Sequence, residues 1–275
     1  MNALAFLLAL PLAALAADKP PVDAGPYVPS PQSVVADMLK LADIGPQDFV
    51  VDLGSGDGRI VLTAAKVFGA SGFGVEIKDE LVKLSNEAAK KEGVAERVKF
   101  IKADLFKTDI SRATGLTMYL LPHTVNMLKH KLLTELKPGT KVLSHDYPLT
   151  GWIPEKYVQM DLEDKVQISG VTTTLIYLYM VPAQVQGRWS AKVPESVGKG
   201  PLTLNLKQQV TRVSGSGRLA GREVELEDLK LKGEQLSFGL AGGKAAFTGK
   251  VKNGVIEGEV DTGGAKAPWS AKLVK

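Results

Sequence analysis

The chain has 275 residues, with 34 Lys and Arg against 30 Asp and Glu, a formal net charge of +4 and no cysteine. Disulfides, thiolate zinc sites and cysteine nucleophiles are excluded, and a mild basic excess without a dense basic run points away from a nucleic-acid partner. The three histidines, His123, His130 and His145, have no carboxylate that completes a tight cluster, so no metal site is expected.

Leu4 to Ala16 is apolar and uncharged, and too short to cross a bilayer, which takes about 20 residues. Ala14-Leu15-Ala16 is a small-x-small cleavage signature ahead of polar Asp18-Lys19. Residues 1–16 therefore predict a secretory signal and a periplasmic or secreted protein. The alternative is an uncleaved segment that associates with the membrane. Residues 17–30 are Pro-rich and predict a linker. Ser30-Pro31 opens an amphipathic helix to about residue 43, with Val34, Val35, Met38 and Leu39 on its apolar side.

Strands are then predicted at Phe49–Leu53, Gly72–Glu76, Val98–Ile101, Leu116–Leu120 and Lys141–Ser144. Helices separate most of them: Ile60 to Val67, Glu80 to Lys91, and Val125 to Leu136, stopped by Pro138-Gly139. Two β-rich runs, 157–163 and 171–180, follow with no helix between them. Strands alternating with helices predict an α/β domain over 31–182, a doubly wound, seven-stranded Rossmann-like sheet with an antiparallel edge. Residues 187–275 change texture: short alternating runs separated by glycine turns predict a small all-β domain, barrel or sandwich. Trp189-Ser190-Ala191-Lys192 is echoed by Trp269-Ser270-Ala271-Lys272. Either the first and last strands meet to close a barrel, or a four-residue string recurs by chance.

The first strand runs into Asp52-x-Gly54-x-Gly56-x-Gly58. Glycines there let the backbone turn sharply and approach a ligand, and the next helix offers free amides to an anionic group. A dinucleotide fingerprint would need Gly or Ala where Arg59 stands. The spacing is instead that of class I methyltransferases, which use S-adenosylmethionine. Glu76 ends the second strand, where a carboxylate can accept ribose hydroxyls. Asp104, beside Leu105, follows the third and can accept from an adenine amine. Tyr119-Leu120-Leu121-Pro122 ends the fourth, where the transferable methyl would lie. The expected cofactor site is thus Tyr27, Asp52, Gly54, Ser55, Gly56, Asp57, Gly58, Glu76, Asp104, Leu105 and Tyr119. Asp57 orders the cofactor or only caps the helix.

Pro26-Tyr27-Val28-Pro29, the 51–61 segment, Gly74-Val75-Glu76, residues 131–136 and Val142 to Trp152 resemble the mitochondrial lysine N-methyltransferases that act on the ATP synthase c-subunit and the adenine nucleotide translocator. The resemblance covers roughly residues 26–180. It implies that Tyr27 to Pro29 close over cofactor and lysine, and that Tyr119 to Pro122 and His145 to Pro148 lie near the acceptor amine. The catalytic candidates are Tyr27, Tyr119, Pro122, His145 and Asp146, which would orient the amine or relay its proton. Trp152 lines an acceptor channel or packs in the core. The expected function is transfer of a methyl group to a protein lysine. The alternatives are a small-molecule or lipid-like acceptor, or a domain that binds nucleosides or partners without catalysis. An exported protein would also need a source of this cytosolic cofactor.

Overall fold

A computed structural model describes residues 25–243 and 245–274; the signal segment 1–16 and residues 17–24 of the linker lie outside them. The first half contains α1 (Gln32–Leu41), β1 (Phe49–Leu53), α2 (Arg59–Phe68), β2 (Ser71–Glu76), α3 (Asp79–Lys91), β3 (Val98–Lys102), β4 (Gly115–Met118), α4 (Pro122–Glu135), β5 (Lys141–His145), β6 (Lys156–Asp161), α5 (Glu163–Ser169) and β7 (Thr173–Met180). The strands form one seven-stranded sheet in the order β3-β2-β1-β4-β5-β7-β6. The first five are parallel, and β7 and β6 add an antiparallel edge.

Period-two alternation decides which face each strand residue serves. Val50 of β1 packs with Val34, Met38 and Leu39 of α1 and Ile60 of α2. Val51 and Leu53 face the other way, into a core with Val125, Leu128 and Leu132 of α4 and with Tyr179 of β7. Asp52 shares the parity of Val50, so the carboxylate sits at the strand's C-terminal end below the start of α2.

The helix α5 corrects the expectation of two β runs without a helix between them. Seven residues give too little sequence for a helical period, and the pattern here is inverted. Lys165 is buried, whereas Val166 is 45% exposed. Gly170, at φ 76°, ends the helix and returns its amide to the Val166 carbonyl.

Among the described residues the second half holds only strands: β8 (Gly187–Lys192), β9 (Leu202–Gln209), β10 (Arg212–Leu219), β11 (Arg222–Val224), β12 (Leu226–Lys232), β13 (Gln235–Leu240), β14 (Ala245–Lys252), β15 (Val255–Asp261) and β16 (Lys266–Val274). They form a nine-stranded antiparallel sheet in the order β11-β10-β9-β8-β16-β15-β14-β13-β12. This is an up-and-down meander rolled into a nearly closed barrel, with its seam between β11 and β12. The echoed tetrapeptides do pair: Ala191 stands opposite Ala271, and Ser190 opposite Lys272. Trp189 and Trp269 both point into the barrel, where Trp269 meets Phe238 and Phe247 edge-on.

The barrel sits beyond the C-terminal end of β7, where Gly233 approaches Met180 and Gly139. Ala183 donates its amide to the Gly233 carbonyl, and Gln208 bonds the backbone of Val185, Ala183 and Val210. Lys232 pairs with Glu155 at 3.1 Å.

Candidate active site

At the carboxyl ends of β1, β2 and β4 lies a solvent-open cleft with about 1050 Å³ of empty space, the expected crevice of such a sheet. Its floor is the glycine loop. Gly54 and Gly56 adopt φ of 77° and 54°, the left-handed region that L side chains avoid. A Cβ on Gly56 would stand 2.4 Å from the Tyr27 ring, and one on Gly54 would stand 2.7 Å from Leu120. The loop is therefore built for close approach.

Glu76 organises that loop. Oε2 accepts from the Gly56 amide at 2.9 Å, and Oε1 accepts from the Ile77 and Lys78 amides at 2.8 and 2.9 Å. A carboxylate has about four acceptor sites, so one remains, on Oε2, for a ligand hydroxyl. Asp52 is fully buried beside it and accepts from the Thr117 hydroxyl at 2.6 Å. Burial pushes the Asp52 carboxyl up to about 7, with Thr117 pulling down and the Glu76 and Asp57 charges adding to the rise.

Residues 25–30, expected as linker, run as a strap that forms one wall of the cleft. Tyr27 lies over the glycine loop; burial, then the Asp57 charge, raises its phenol. Arg59 forks onto both Asp57 oxygens, at 2.9 and 2.6 Å, and reaches the Ser30 carbonyl at 2.7 Å. Ser30 Oγ bonds His145 Nδ1 at 2.8 Å. Asp57 also accepts the Arg59 amide, closing a local turn ahead of α2 whose cap is Gly58.

Of the expected residues, Tyr27, Asp52, Gly54, Ser55, Gly56, Asp57, Glu76, Leu105 and Tyr119 line the cleft. Five do not. Gly58 caps α2 from behind the loop, where a Cβ would meet Phe100 and Ser85. Asp104 spends an oxygen on the Phe106 amide, so Ala103 and Leu105 form that wall instead. Pro122 is exposed as the first residue of α4. His145 is completely buried behind Tyr119, their ring centroids 3.9 Å apart. Burial pushes its imidazole down to about 4, against the pull of Asp146, so it is neutral at pH 7. Asp146 lies under Tyr119 and accepts its hydroxyl at 3.0 Å. Trp152 packs on Tyr179 in the core.

The sequence reading missed Ile77 and Lys78 as lining residues, and it missed Lys165 beneath the site, while Leu121 and Tyr147 fall in the two spans expected near the acceptor amine. Lys165 left no signal in the sequence, since the seven residues of α5 are too few to set a helical period.

The strand order, the glycine loop and the strand-end acid define the class: an S-adenosylmethionine-dependent methyltransferase. The ANTKMT methyltransferase domain family matches residues 52–156. A protein-lysine N-methyltransferase of Saccharolobus islandicus is 43% identical over 157 residues, which cover 57% of this chain and 93% of that protein. The chain belongs to this protein-lysine N-methyltransferase family. An ATP synthase c-subunit lysine N-methyltransferase of Xenopus laevis is 37% identical over 130 residues, 47% of this chain and 57% of that protein. The chain thus spans just over half the length of that relative. A solved structure of a Salinibacter ruber protein, described as an RNA methyltransferase in complex with S-adenosylhomocysteine, is 44% identical. That match covers 57% of this chain and 96% of the other, with a TM-score of 0.52.

Proposed function

We propose that this methyltransferase acts on the side-chain amine of a protein lysine, and that S-adenosylmethionine occupies the cleft described above. One observation carries the acceptor reading. The far wall of the cleft, at the end of β4, is Leu120, Leu121, Tyr147 and the Tyr119 phenol, whose proton is committed to Asp146. That wall offers an acceptor oxygen in apolar surroundings, which suits an uncharged amine. The names of the Saccharolobus and Xenopus relatives support the same reading.

The residues fit the cofactor. The glycine cradle leaves no room for a Cβ, Glu76 keeps an acceptor for a ribose hydroxyl, and Ala103 and Leu105 give an apolar seat for a flat base. Bound there, S-adenosylmethionine supplies a methyl group already activated by its positive sulfur. The chain's own residues then have two tasks. They must align the amine in line with the methyl, and they must keep the amine neutral and desolvated. The free amine titrates near 10.4, so a low-dielectric mouth helps by disfavouring its charged form. Tyr27 and the strap wall that mouth off from solvent on one side.

We further infer export, or membrane attachment, from the N-terminal sequence; fractionation with N-terminal sequencing of the mature protein tests it. The acceptor is tested by incubating the protein with methyl-labelled S-adenosylmethionine and total cell extract. After acid hydrolysis the label is expected as methyllysine. The description of the Salinibacter protein supports RNA as a second reading; label that is removed by ribonuclease and absent from protein would select it and refute the lysine reading.

A further inference from the structure

Beneath the Tyr119 wall lies a closed polar network with a cation at its base. Lys165 is 2% exposed, although it is a lysine. Its ammonium reaches Asp146 Oδ1 at 2.8 Å and Oδ2 at 2.7 Å, and it also donates to the Thr173 carbonyl. An ammonium has three protons to donate, and both Asp146 oxygens and this backbone carbonyl are among its acceptors. Asp146 receives two further bonds, from the Leu175 amide on Oδ1 at 3.0 Å and from the Tyr119 hydroxyl on Oδ2 at 3.0 Å. All four of its acceptor sites are taken. Its backbone is also held at φ 63°, which a non-glycine residue adopts at some cost.

Asp146 therefore has no acceptor left for a substrate proton, so it is not the base of the reaction. Tyr119 has given its single O–H to Asp146, so its oxygen has only lone pairs to offer. Tyr119 is the member of the network that lines the cleft.

We propose that Lys165 is a positioning residue for the transfer. Through Asp146 it fixes Tyr119 with its hydrogen turned down, so that the phenolic oxygen accepts an N–H of the incoming amine. It also cancels the Asp146 charge, which would otherwise hold that amine as ammonium. The inference rests on the amine reading above. In the step itself, the nitrogen lone pair forms the N–C bond as the C–S bond breaks and its electron pair stays on sulfur. The surplus proton on nitrogen then leaves to water. An N–H bond to Tyr119 strengthens as positive charge grows on nitrogen, and it aims the lone pair.

Charge neutrality explains why a lysine is buried here at all. An unpaired carboxylate a few ångströms below the acceptor would raise the amine's pKa and hold it protonated. An unpaired ammonium would lower it. The other groups facing Asp146 are His145 from β5, Tyr119 from the cleft side, and Tyr177 from β7. His145 is neutral above about pH 4, and burial first, with Asp146 adding to it, raises the phenols of Tyr119 and Tyr177. Lys165 and Asp146 are therefore the charged pair directly beneath Tyr119; Asp52, raised to about 7, lines the same cleft and titrates alike in every variant.

The test measures kcat against pH on a labelled lysine peptide, with S-adenosylhomocysteine affinity by calorimetry as a second readout. Lys165→Met should shift the rising limb to higher pH by about one unit. Asp146→Asn should shift it to lower pH, and the double variant Asp146→Asn/Lys165→Met should return it to the wild-type position. Tyr119→Phe should lower kcat about tenfold or more, with S-adenosylhomocysteine affinity within about twofold of wild type. Lys165→Met leaves a buried carboxylate unpaired; if it does not fold, Asp146→Asn against the double variant decides the sign. Superimposable limbs in all folded variants, with thermal stability alone changed, would overturn the proposal and leave Lys165 a structural residue. A wild type that methylates no lysine overturns the amine reading and this inference together. A wild type active on lysine whose limb does not move in the variants overturns this inference alone.

Discussion

The two halves of the molecule treat polar groups in opposite ways. Among the described residues, every buried polar or charged side chain, from Ser30 to Thr174, lies in the α/β half. The barrel buries Trp189, Leu202, Leu204, Leu236, Phe238, Phe247, Ile256 and Trp269, with no polar residue among them. Its described charges are outside, and the sequence over residues 187–275 is unbalanced, with fifteen Lys and Arg against nine Asp and Glu. A buried polar group costs stability unless its bonds are complete. The α/β half bears that cost at the carboxyl ends of its strands, where ligand and acceptor meet. Among its described residues the barrel bears it only at the Thr211 hydroxyl, between β9 and β10, so its core is free to be apolar.

The largest expected break in this contrast is at the loop. Gly56→Val puts a branched side chain at φ 54° and into the Tyr27 ring. S-adenosylhomocysteine binding by calorimetry should fall at least about a hundredfold, while the barrel tryptophan fluorescence stays native. Next is the barrel core. Trp189→Ala empties a fully buried site and loses the bond from Nε1 to the Val185 carbonyl. Denaturant unfolding should show a loss of about 3–5 kcal/mol. Ligand affinity should be unchanged wherever the protein is still folded; a large fall there would show that the halves are not independent.

A smaller effect, and one that depends on pH, is expected at Asp52. Its folded value of about 7 exceeds the ordinary 3.8, so the proton-bound form favours the folded state. That contribution is full below about pH 4 and is lost as pH rises through about 7. Asp52→Asn, which titrates nothing, should therefore gain on wild type between pH 5 and 9, by several degrees in Tm of the ligand-free protein. A constant difference across that range would refute the assignment. The smallest effect is at the boundary. Lys232→Ala removes a pair with Glu155 in which the lysine is 63% exposed, and thermal melting should register less than about 1 kcal/mol.

Much of the α/β half was legible because strand, glycine loop and strand-end acid recur in a fixed order with strong periodicity. The barrel was legible as a class through its alternation, and the two Trp-Ser-Ala-Lys strings marked strands that do pair. What escaped reading was whatever depends on where side chains turn. Asp104 sits at the expected strand end, yet it closes its own turn. His145 ends β5 and Asp146 follows it, yet they lie behind Tyr119 rather than in the cleft. The α5 helix escaped because it is short and buries Lys165, a residue type that hydrophobic periodicity counts as surface. Its Gly170 cap was the one local sign.

The pairing of β8 with β16 has a consequence for how the barrel could be rewired. Arg188 and Val274 stand opposite each other in neighbouring strands, so the two ends of this unit are within reach of a short peptide bridge. The seam between β11 and β12, joined through Glu225 alone, marks the natural place for new ends. A circularly permuted barrel, sewn at one point and opened at the other, would keep all nine strands in their present neighbourhoods.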